Sequence, residues 1–397
     1  MPPSRHGVPL SVLAGGHDWA GRAIRPDGLV IDLSGMREVS VDAVSEVATL
    51  QGGATAHDVV TAALPHGLVA VTGTVRTVDM AELTLGGGYG PLSGRFGLAL
   101  DNLVGADVVL ADGRLVRADA EHDAELLWAL RGGGGNFGVA VALDLRLHPV
   151  RELLAGLVIY PWDQATQVWQ RLGRLLADAP DELTLQSGAI NGPEGRPVLF
   201  LAPVWSGPDH AAGRRALEEL QQLGAPLPAQ LAAVDQEGLL ALNDEWAATT
   251  GKHFAIRTRT LPDLGPDAVA ILVEAGGGMT SPLTGLLVHH FHGAATRVPQ
   301  EDTAFGIRRP HYMVEIIAGW EPDDSEASLH RAWADTTSAA LARHALPGGY
   351  RNLLAPDAHD QVPHSYGGDA ARLLAAKRRY DPDNVFTSIP LPNTGRA

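Results

Sequence analysis

Residues 83–102 read LTLGGGYGPLSGRFGLALDN, and the rest of the chain can be understood as arranged around this stretch. An apolar lead-in is followed by three consecutive glycines, Gly86, Gly87 and Gly88. Tyr89 comes next, and the stretch ends on the polar pair Asp101 and Asn102. Because glycine has no Cβ, its backbone can turn sharply and present bare N–H groups to an anion or a flat ring. We therefore interpret the stretch as a ligand-binding loop.

Two further glycine segments strengthen this interpretation. Residues 131–139 read RGGGGNFGV and are called the second glycine segment here, while Gly15 and Gly16 precede His17 near the start of the chain. A single glycine run in a chain with 46 glycines is as easily a connecting turn or a bulge. Three such segments together predict loops that converge on one shared ligand.

The common nucleotide-binding motifs do not match these segments. A dinucleotide fingerprint needs its glycines to open a helix inside a βαβ unit. Here Pro91 and two further glycines follow Gly90, and they disfavour a helix of useful length. A phosphate loop of the type GxxxxGKS or GxxxxGKT is absent, since Gly251 and Lys252 are followed by His253. The sequence therefore argues against the ordinary mononucleotide folds.

Length and charge set bounds on domain number and on partners. At 397 residues and 45% apolar content, the chain is long enough for two or three core-bearing units. Its 30 Lys and Arg against 46 Asp and Glu give a formal charge of −16, which disfavours nucleic acid and membrane surfaces as partners. No apolar run approaches the roughly 20 residues of a membrane span, and no secretion signal is recognisable. A small molecule is therefore the expected partner. Because the chain has no cysteine, we expect a cytoplasmic protein.

The order of expected elements indicates an α+β protein with a change of pattern near residue 150. The alternating strand expected at 139–147 ends the first part. Beyond it, helices interspersed with strands suit an antiparallel sheet backed by helices. The expected helices are 165–177, 210–223 and 325–345, and the expected strands are 198–202, 286–291 and 312–320. We divide the chain into residues 1–150, residues 151–345 and a C-terminal segment, 346–397, that packs back on the first domain.

Four side chains are candidates for chemistry or binding. His17 has an uncrowded imidazole beside two glycines, although an isolated histidine is more often structural. Glu315 lies in a largely apolar strand, where its carboxylate faces either solvent or a cavity in which it would suit a general base. Tyr350 and Asn352 alternate around Arg351, so both can point into one site; the alternative is simple packing and capping.

A histidine cluster at 289–292, with the pattern HHxH, raises the question of a metal. In a strand His290 and His292 would share a face. Neither an acidic nor a histidine partner stands at a diagnostic spacing from them. We therefore predict a surface or pocket strand there and no metal site.

Five motifs, taken in order, resemble those of a known family. They are AGGHDWAG at 14–21, GLVIDLSGM at 28–36, LTLGGGYGPLSGRFGLALDNL at 83–103, LWALRGGGGNFGV at 127–139 and KRRYDPDNVF at 377–386. The chain is similar to the berberine-bridge-enzyme-like FAD-linked oxidases of the vanillyl-alcohol-oxidase superfamily, a group that includes the 6-hydroxy-D-nicotine oxidases. Several long motifs in register are more specific than any single glycine run.

The resemblance implies a fold and a division of labour. It implies a PCMH-type FAD-binding module of two small α+β subdomains in residues 1–150. The substrate domain of residues 151–345 would place an antiparallel sheet over the isoalloxazine ring, and the segment 346–397 would return to the FAD module. The family's first βαβ portion has no counterpart ahead of Val8, so we expect the module to be truncated at its N-terminal end.

The resemblance also implies roles for individual residues. His17 matches the histidine that carries the bond to the 8α-methyl group of FAD. Glu315 matches the catalytic base, and Tyr350 matches a substrate-side tyrosine near the flavin. In the catalytic step that we expect, either Glu315 or Tyr350 removes the substrate proton. The remaining expected cofactor-binding residues are Gly15, Gly16, Thr74, Gly86, Gly87, Gly88, Tyr89, Asp101, Asn102, Gly135, Gly138 and Val139.

Two departures from the family pattern affect the cofactor. Some members attach FAD a second time through the cysteine of a TGTC segment, which here reads TGTV and ends in Val75, so only the histidine link is possible. Asp79 and Glu82 replace small residues, and two carboxylates near a pyrophosphate would repel it unless they point away.

These observations predict an FAD-dependent oxidase of a small organic metabolite, with hydride transfer to flavin N5 and reoxidation by molecular oxygen. Asp79, Glu82 and the missing N-terminal portion suggest an alternative function. In this alternative the protein is flavin-free or flavin-impaired and binds or cyclises a small metabolite on the same scaffold.

Overall fold

The computed structural model describes residues 8–244 and 250–392. The strands run in chain order as β1 Leu10–Leu13, β2 Leu29–Asp32, β3 Val39–Asp42, β4 Val47–Gln51, β5 Leu68–Val69, β6 Leu103–Val109, β7 Leu115–Asp119, β8 Val139–Arg146, β9 His148–Pro149, β10 Leu153–Pro161, β11 Leu183–Asn191, β12 Pro197–Trp205, β13 Gln230–Val234, β14 His253–Leu261, β15 Gly285–Phe291 and β16 His311–Trp320.

The helices are α1 Ala56–Ala63, α2 Met80–Gly86, α3 Ser93–Phe96, α4 Ala124–Gly133, α5 Ala165–Leu176, α6 His210–Gln221, α7 Gln236–Ala241, α8 Pro266–Gly277, α9 Ala294–Arg297, α10 Ala327–Ala342 and α11 Ala370–Tyr380. In the described part of the chain, none of these helices has the length and apolar character needed to cross a membrane.

A five-stranded sheet organises the N-terminal part of the molecule. Its order is β3-β4-β8-β6-β7, and all neighbouring strands are antiparallel. Fully buried residues of the sheet, such as Leu50 and Leu143, pack with Val59 of α1 and Leu126 of α4 in one core. Beside it, β1 and β2 form a small parallel pair, and β1 leads the chain into the glycine turn of residues 14–17.

A seven-stranded antiparallel sheet forms the second large unit, in the order β13-β10-β12-β11-β15-β16-β14. Helices α5, α6, α8 and α10 cover one of its faces, where Trp169, Leu272 and Val314 are fully buried. The expected α+β class, with an FAD-module-like first part and an antiparallel sheet backed by helices, is confirmed. The chain passes from the five-stranded sheet to the seven-stranded sheet between Arg146 and Leu153. The division into three domains itself stays a prediction.

The strand β16 fixes the orientation of the candidate base. All ten of its residues are buried, and it pairs with β14 on one side and β15 on the other. Because side chains alternate along a strand, Val314 and Ile316 face the helices. Glu315 therefore projects from the opposite face, which is the face turned toward the glycine segments.

The C-terminal segment returns to the N-terminal core. Leu373 and Tyr380 of α11 pack in the same apolar cluster as the helix α4. Lys377 fastens this contact, because its Nζ donates to the carbonyl oxygens of Asn136 at 2.7 Å and Phe386 at 2.5 Å. Asp381 supplies the counter-charge 2.5 Å from the same nitrogen. The end of the described chain is thus attached directly to the second glycine segment.

One short helix, α2, leads into the glycine-rich stretch of residues 83–102 and overlaps its beginning. Asp79 caps α2 by accepting a hydrogen bond from the Glu82 N–H at 2.8 Å. The helix ends when it runs into Gly86 and Gly87. Beyond it the glycine-rich stretch contains only the single turn α3 and a 3₁₀ turn at Ala99–Asn102, in keeping with the sequence argument against a long helix there.

Candidate active site

A cavity of about 400 Å³ lies where the helix-free face of the seven-stranded sheet meets the glycine segments. The cavity is lined by β1, the loop after it, α2, the second glycine segment, the face of the sheet and the C-terminal segment. Nine of the residues singled out in the sequence line it: His17, Thr74, Tyr89, Gly135, Gly138, Val139, Glu315, Tyr350 and Asn352.

Glu315 lies at the centre of a hydrogen-bonded group on the cavity wall. The Tyr89 hydroxyl donates to Glu315 Oε1. His289 Nε2 lies 3.2 Å from the same oxygen and 3.4 Å from the Tyr89 hydroxyl. Burial, followed by the negative charge of Glu315, raises the pKa of Tyr89 well above its ordinary value, so Tyr89 stays protonated and remains a donor. Of the two orientations open to Glu315 from sequence, the structure has the one that faces a cavity.

His289 reaches this group through strand pairing. On β15 and β16, Leu287 lies directly opposite Glu315, and His289 is the next residue along that face. The sequence drew attention to the histidine cluster, but it does not say which of the alternating side chains shares a face with Glu315. Non-local register decides that, and it makes His289 a site residue that the sequence prediction missed.

Tyr350 and Asn352 approach from the C-terminal segment. The Gly88 N–H donates to the Tyr350 hydroxyl at 2.6 Å, and Asn352 Nδ2 lies 3.4 Å from the same oxygen. Burial raises the pKa of Tyr350 to about 12, so the phenol keeps its proton. Because the oxygen accepts from these N–H groups, its own hydrogen is available for a ligand.

The three consecutive glycines serve these two side chains, and they do not line the cavity themselves. A Cβ on Gly86 would lie 1.7 Å from Asn352 Oδ1. A Cβ on Gly87 would lie 2.6 Å from the Tyr350 ring. The missing side chains therefore admit Tyr350 and Asn352, which is a different use of glycine from the expected direct contact with a ligand.

His17 lies on the cavity wall in an otherwise side-chain-poor turn. Its Nε2 is 2.9 Å from Thr77 Oγ1, and burial lowers its pKa, which favours the neutral imidazole. Gly15 and Gly16 are outside the lining. Gly15 packs so closely on α2 that a Cβ would lie 2.7 Å from the Asp79 nitrogen, and Gly16 has φ 71°.

The two carboxylates that depart from the family pattern are both at this turn. Glu82 Oε1 accepts from the N–H groups of Ala14 at 3.2 Å and Gly16 at 3.4 Å. Asp79 is fully buried as the cap of α2. Burial raises the pKa of Glu82, and it raises that of Asp79 well above the ordinary value. The hydrogen bonds from Ala14 and Gly16 show that the carboxyl group of Glu82 points into the glycine turn.

Asp101 and Asn102 do not line the cavity. Asp101 forms a buried ion pair with Arg308, with 2.6 Å between Oδ1 and Nη2. The Asn102 amide donates to two backbone carbonyls at 2.9 and 3.0 Å, and its Oδ1 lies 2.7 Å from His148 Nε2. Their polar groups are thus taken up in holding the loop after the glycine stretch.

Several donors on the cavity wall have no partner in the described residues, and no sequence pattern would reveal them. Arg22 has Nε and Nη1 unpaired, while its Nη2 lies 3.1 Å from Asp18. The buried hydroxyls of Ser11 and Thr387 are also unpaired, and both residues line the same cavity. Buried donors normally have acceptors. Together with the nearby glycines, they fit a large ligand with flat and phosphate-bearing parts, as FAD has.

Within residues 8–244 and 250–392, no group of three or more histidine or acidic side chains is arranged to hold a metal ion. The rings of His290 and His292 stack on one another with their centroids 4.2 Å apart.

A second cavity of about 230 Å³ adjoins the first and shares Tyr89, Gln186 and His289 with it.

Comparison with family models gives two matches. A model described as FAD binding domain matches residues 3–119, and one described as Berberine and berberine like matches residues 349–389. The second match covers Tyr350, Asn352 and the segment that Lys377 fastens to the N-terminal core.

Curated relatives match over almost the whole chain. The FAD-linked oxidoreductase pgmH of Aspergillus terreus is 40% identical over 96% of this chain and 82% of its own length. The FAD-linked oxidoreductase aurO of Gibberella zeae is 32% identical over 96% of this chain and 75% of its own length.

A solved structure shows the same architecture. The crystal structure of 6-hydroxy-D-nicotine oxidase from Arthrobacter nicotinovorans superposes with a TM-score of 0.87 at 27% identity. The match covers 96% of this chain and 86% of that protein.

Proposed function

Because the chain belongs to the berberine-bridge-enzyme-like FAD-linked oxidoreductases and is an FAD-dependent enzyme, we propose that it is an oxidase of a small organic metabolite. FAD, when bound, supplies the redox chemistry by accepting a hydride at N5 and passing the electrons to molecular oxygen, with hydrogen peroxide as product. The observation that carries the proposal is the meeting of Glu315, Tyr89, His289 and Tyr350 on one wall of a cavity whose other walls include β1, α2, residues 134–140 and the C-terminal segment.

Glu315 acts as the general base. The hydrogen bond from Tyr89 and the nearby His289 nitrogen hold its carboxylate at the cavity wall. A positioned carboxylate can take a proton from a substrate hydroxyl, amine or activated ring as the adjacent C–H bond loses its hydride. Tyr350 is unsuited to that role near neutral pH, since a pKa of about 12 keeps it protonated.

Tyr350 acts as a hydrogen-bond donor that orients the substrate. Its oxygen already accepts from Gly88, so its hydrogen can be offered to a substrate oxygen or nitrogen beside Glu315. Orientation of this kind lowers the barrier because the reacting groups are held in place before reaction. The substrate is therefore a compound with a polar atom next to the C–H bond that is broken.

The residues that would hold FAD divide into a tether and a cradle. His17 would form the covalent bond between a ring nitrogen and the flavin 8α-methyl carbon, and its neutral imidazole suits that role. Thr74, Gly135, Gly138 and Val139 line the same cavity and would contact the cofactor through side-chain-poor surfaces. The unpaired donors of Arg22, Ser11 and Thr387 would serve its phosphate and hydroxyl groups.

The base role is tested by the variant Glu315→Gln. We expect kcat to fall by about 10²- to 10⁴-fold, the usual contribution of a general base, with bound flavin unchanged. The measurement is hydrogen peroxide release, with a substrate found by screening metabolites that carry secondary alcohols or amines. Glu321→Gln is the matched control, because Glu321 lies just past β16, is exposed and pairs with Lys252. A kcat within about twofold of the parent in Glu315→Gln would remove Glu315 from the mechanism.

The tether is tested by acid precipitation of purified protein. We expect the precipitate to be yellow and fluorescent, and we expect the colour to move to the supernatant in His17→Ala. A colourless precipitate from yellow parent protein would exclude the bond. Parent protein that is folded but neither carries flavin nor binds added FAD would favour the flavin-free alternative, whose supporting observation is the Glu82 carboxylate in the glycine turn.

A further inference from the structure

The glycine turn of residues 14–17 already holds an acidic group, the carboxyl group of Glu82. The N–H groups of Ala14 and Gly16 both donate to Glu82 Oε1, at 3.2 and 3.4 Å. Backbone N–H groups that converge on one point in a turn form an anion-binding concavity. The turn is thus an anion site, and α2 delivers its present occupant from more than 60 positions further along the chain.

The rest of the Glu82 side chain is poorly satisfied where it lies. Its second oxygen, Oε2, is buried and has no partner within the described residues. Asp79, three positions earlier, is fully buried and likewise has Oδ2 unpaired. A buried carboxylate oxygen without a donor costs free energy, and two carboxylates close together add repulsion. This arrangement therefore favours release of Glu82 when a better anion arrives.

The surroundings indicate what that anion would be. Arg22 offers two unpaired guanidinium nitrogens, and the unpaired hydroxyls of Ser11 and Thr387 line the same cavity. Ser11 is only 5% exposed. A cation, two hydroxyls and a turn of N–H groups around one space suit a diphosphate, whose oxygens accept from each of them.

Resting on the proposed function, we propose that Glu82 is an internal competitor of the flavin diphosphate for the N–H groups of the turn at residues 14–17. The cofactor gains these donors only when the Glu82 side chain leaves them. If the side chain stays nearby as a carboxylate, its like charge weakens the diphosphate contact further. Glu82 thus lowers the affinity of this chain for FAD, and its removal raises that affinity.

The test is a fluorescence titration with FAD in a His17→Ala background, where no covalent bond can hold the flavin. Adding Glu82→Ala empties the turn, and we expect the Kd for FAD to fall by about tenfold or more. Adding Glu82→Gln removes the charge and keeps the size, so part of that gain is expected. Riboflavin has no diphosphate, and its Kd is expected to stay the same in all three proteins.

Glu121→Ala serves as the matched control, because Glu121 is an exposed carboxylate distant from the cavity lining. Equal Kd values for FAD with and without the Glu82 substitutions would overturn the inference and leave the oxidase proposal standing. A gain for riboflavin as large as that for FAD would also overturn it. Folded proteins that bind no FAD in any background would overturn the inference and the flavin function together. If Glu82→Ala does not fold, the isosteric Glu82→Gln decides.

Discussion

At the scale of single residues, His311 links the stability of the seven-stranded sheet to pH. It begins β16, is 4% exposed, and stacks on Phe291 with ring centroids 4.5 Å apart. Its Nδ1 lies 2.6 Å from the Arg309 carbonyl oxygen. Burial lowers its pKa from 6.5 to about 4, and the charge of Arg309 contributes in the same direction. The folded protein therefore holds this imidazole neutral where the unfolded chain would protonate it.

The sign of the pH dependence follows. Above pH 6.5 neither state protonates His311, and its contribution to stability is complete; as the pH falls from 6.5 toward 4, the unfolded chain gains a proton that the folded one refuses. We expect this residue to account for a loss of about 3 kcal/mol in the free energy of unfolding over that window. Denaturant titrations at several pH values should show that the free energy of unfolding depends less on pH in His311→Gln than in the parent. The exposed His359→Gln should follow the parent, and parallel curves for His311→Gln would contradict the assignment.

At the scale of elements, the end of α2 and the C-terminal segment depend on each other through Gly86. A Cβ there would lie 1.7 Å from Asn352 Oδ1, so Gly86→Ala must displace Asn352 and with it the support of Tyr350. We expect a loss of about 1–3 kcal/mol, the usual cost of overpacking, together with lower turnover. Thermal denaturation and peroxide release measure the two effects.

Gly35→Ala is the control for this prediction, since nothing lies within 4 Å of a Cβ at that position. The double variant Gly86→Ala with Asn352→Ala should recover part of the stability, because the clash is then removed. Equal stability of Gly86→Ala and Gly35→Ala would show that the loop accommodates the methyl group without moving Asn352.

Elements were predictable from sequence where their determinants are local. Thr55 and Asp58 cap each other's backbone at the start of α1, and the alternation along 139–147 marks β8. The short helix α2 was not expected, because its seven residues lead straight into glycines. Motif resemblance reached His17, Glu315 and Tyr350, all of which line the cavity.

Contacts between distant parts of the chain could not be predicted in this way. Asp101 was expected at the cofactor because its motif resembles a cofactor-binding loop of the family, but Arg308, 207 positions away, takes its carboxylate. His289 joins Glu315 only because β15 and β16 pair in one particular register. Neither partner leaves a pattern in the sequence near the residue that it contacts.

At the scale of the whole molecule, Lys377 joins the C-terminal segment to the N-terminal core. Its buried ammonium pairs with Asp381 and donates to the backbone of Asn136 in the second glycine segment. In Lys377→Met, Asp381 would stay buried without its counter-charge, and we expect a loss of about 3–5 kcal/mol. Because Gly135 and Gly138 line the cavity beside Asn136, flavin content should fall as well.

Denaturant unfolding and the ratio of flavin to protein absorbance measure both effects of Lys377→Met. Lys252→Met is the matched control, since Lys252 pairs with Glu321 at the surface, where such pairs contribute about 0–1 kcal/mol. Loss of stability with full flavin content would mean that the C-terminal segment supports the fold without shaping the cavity.

The placement of β16 between two other strands, with every residue buried, has a consequence for motion. Backbone amides in such a strand meet solvent only in openings that approach global unfolding. Glu315 therefore cannot be repositioned by a local fluctuation of its own backbone. Adaptation to substrates of different shape must come from the loops and the C-terminal segment that face it, while the backbone of Glu315 stays as immobile as the sheet itself.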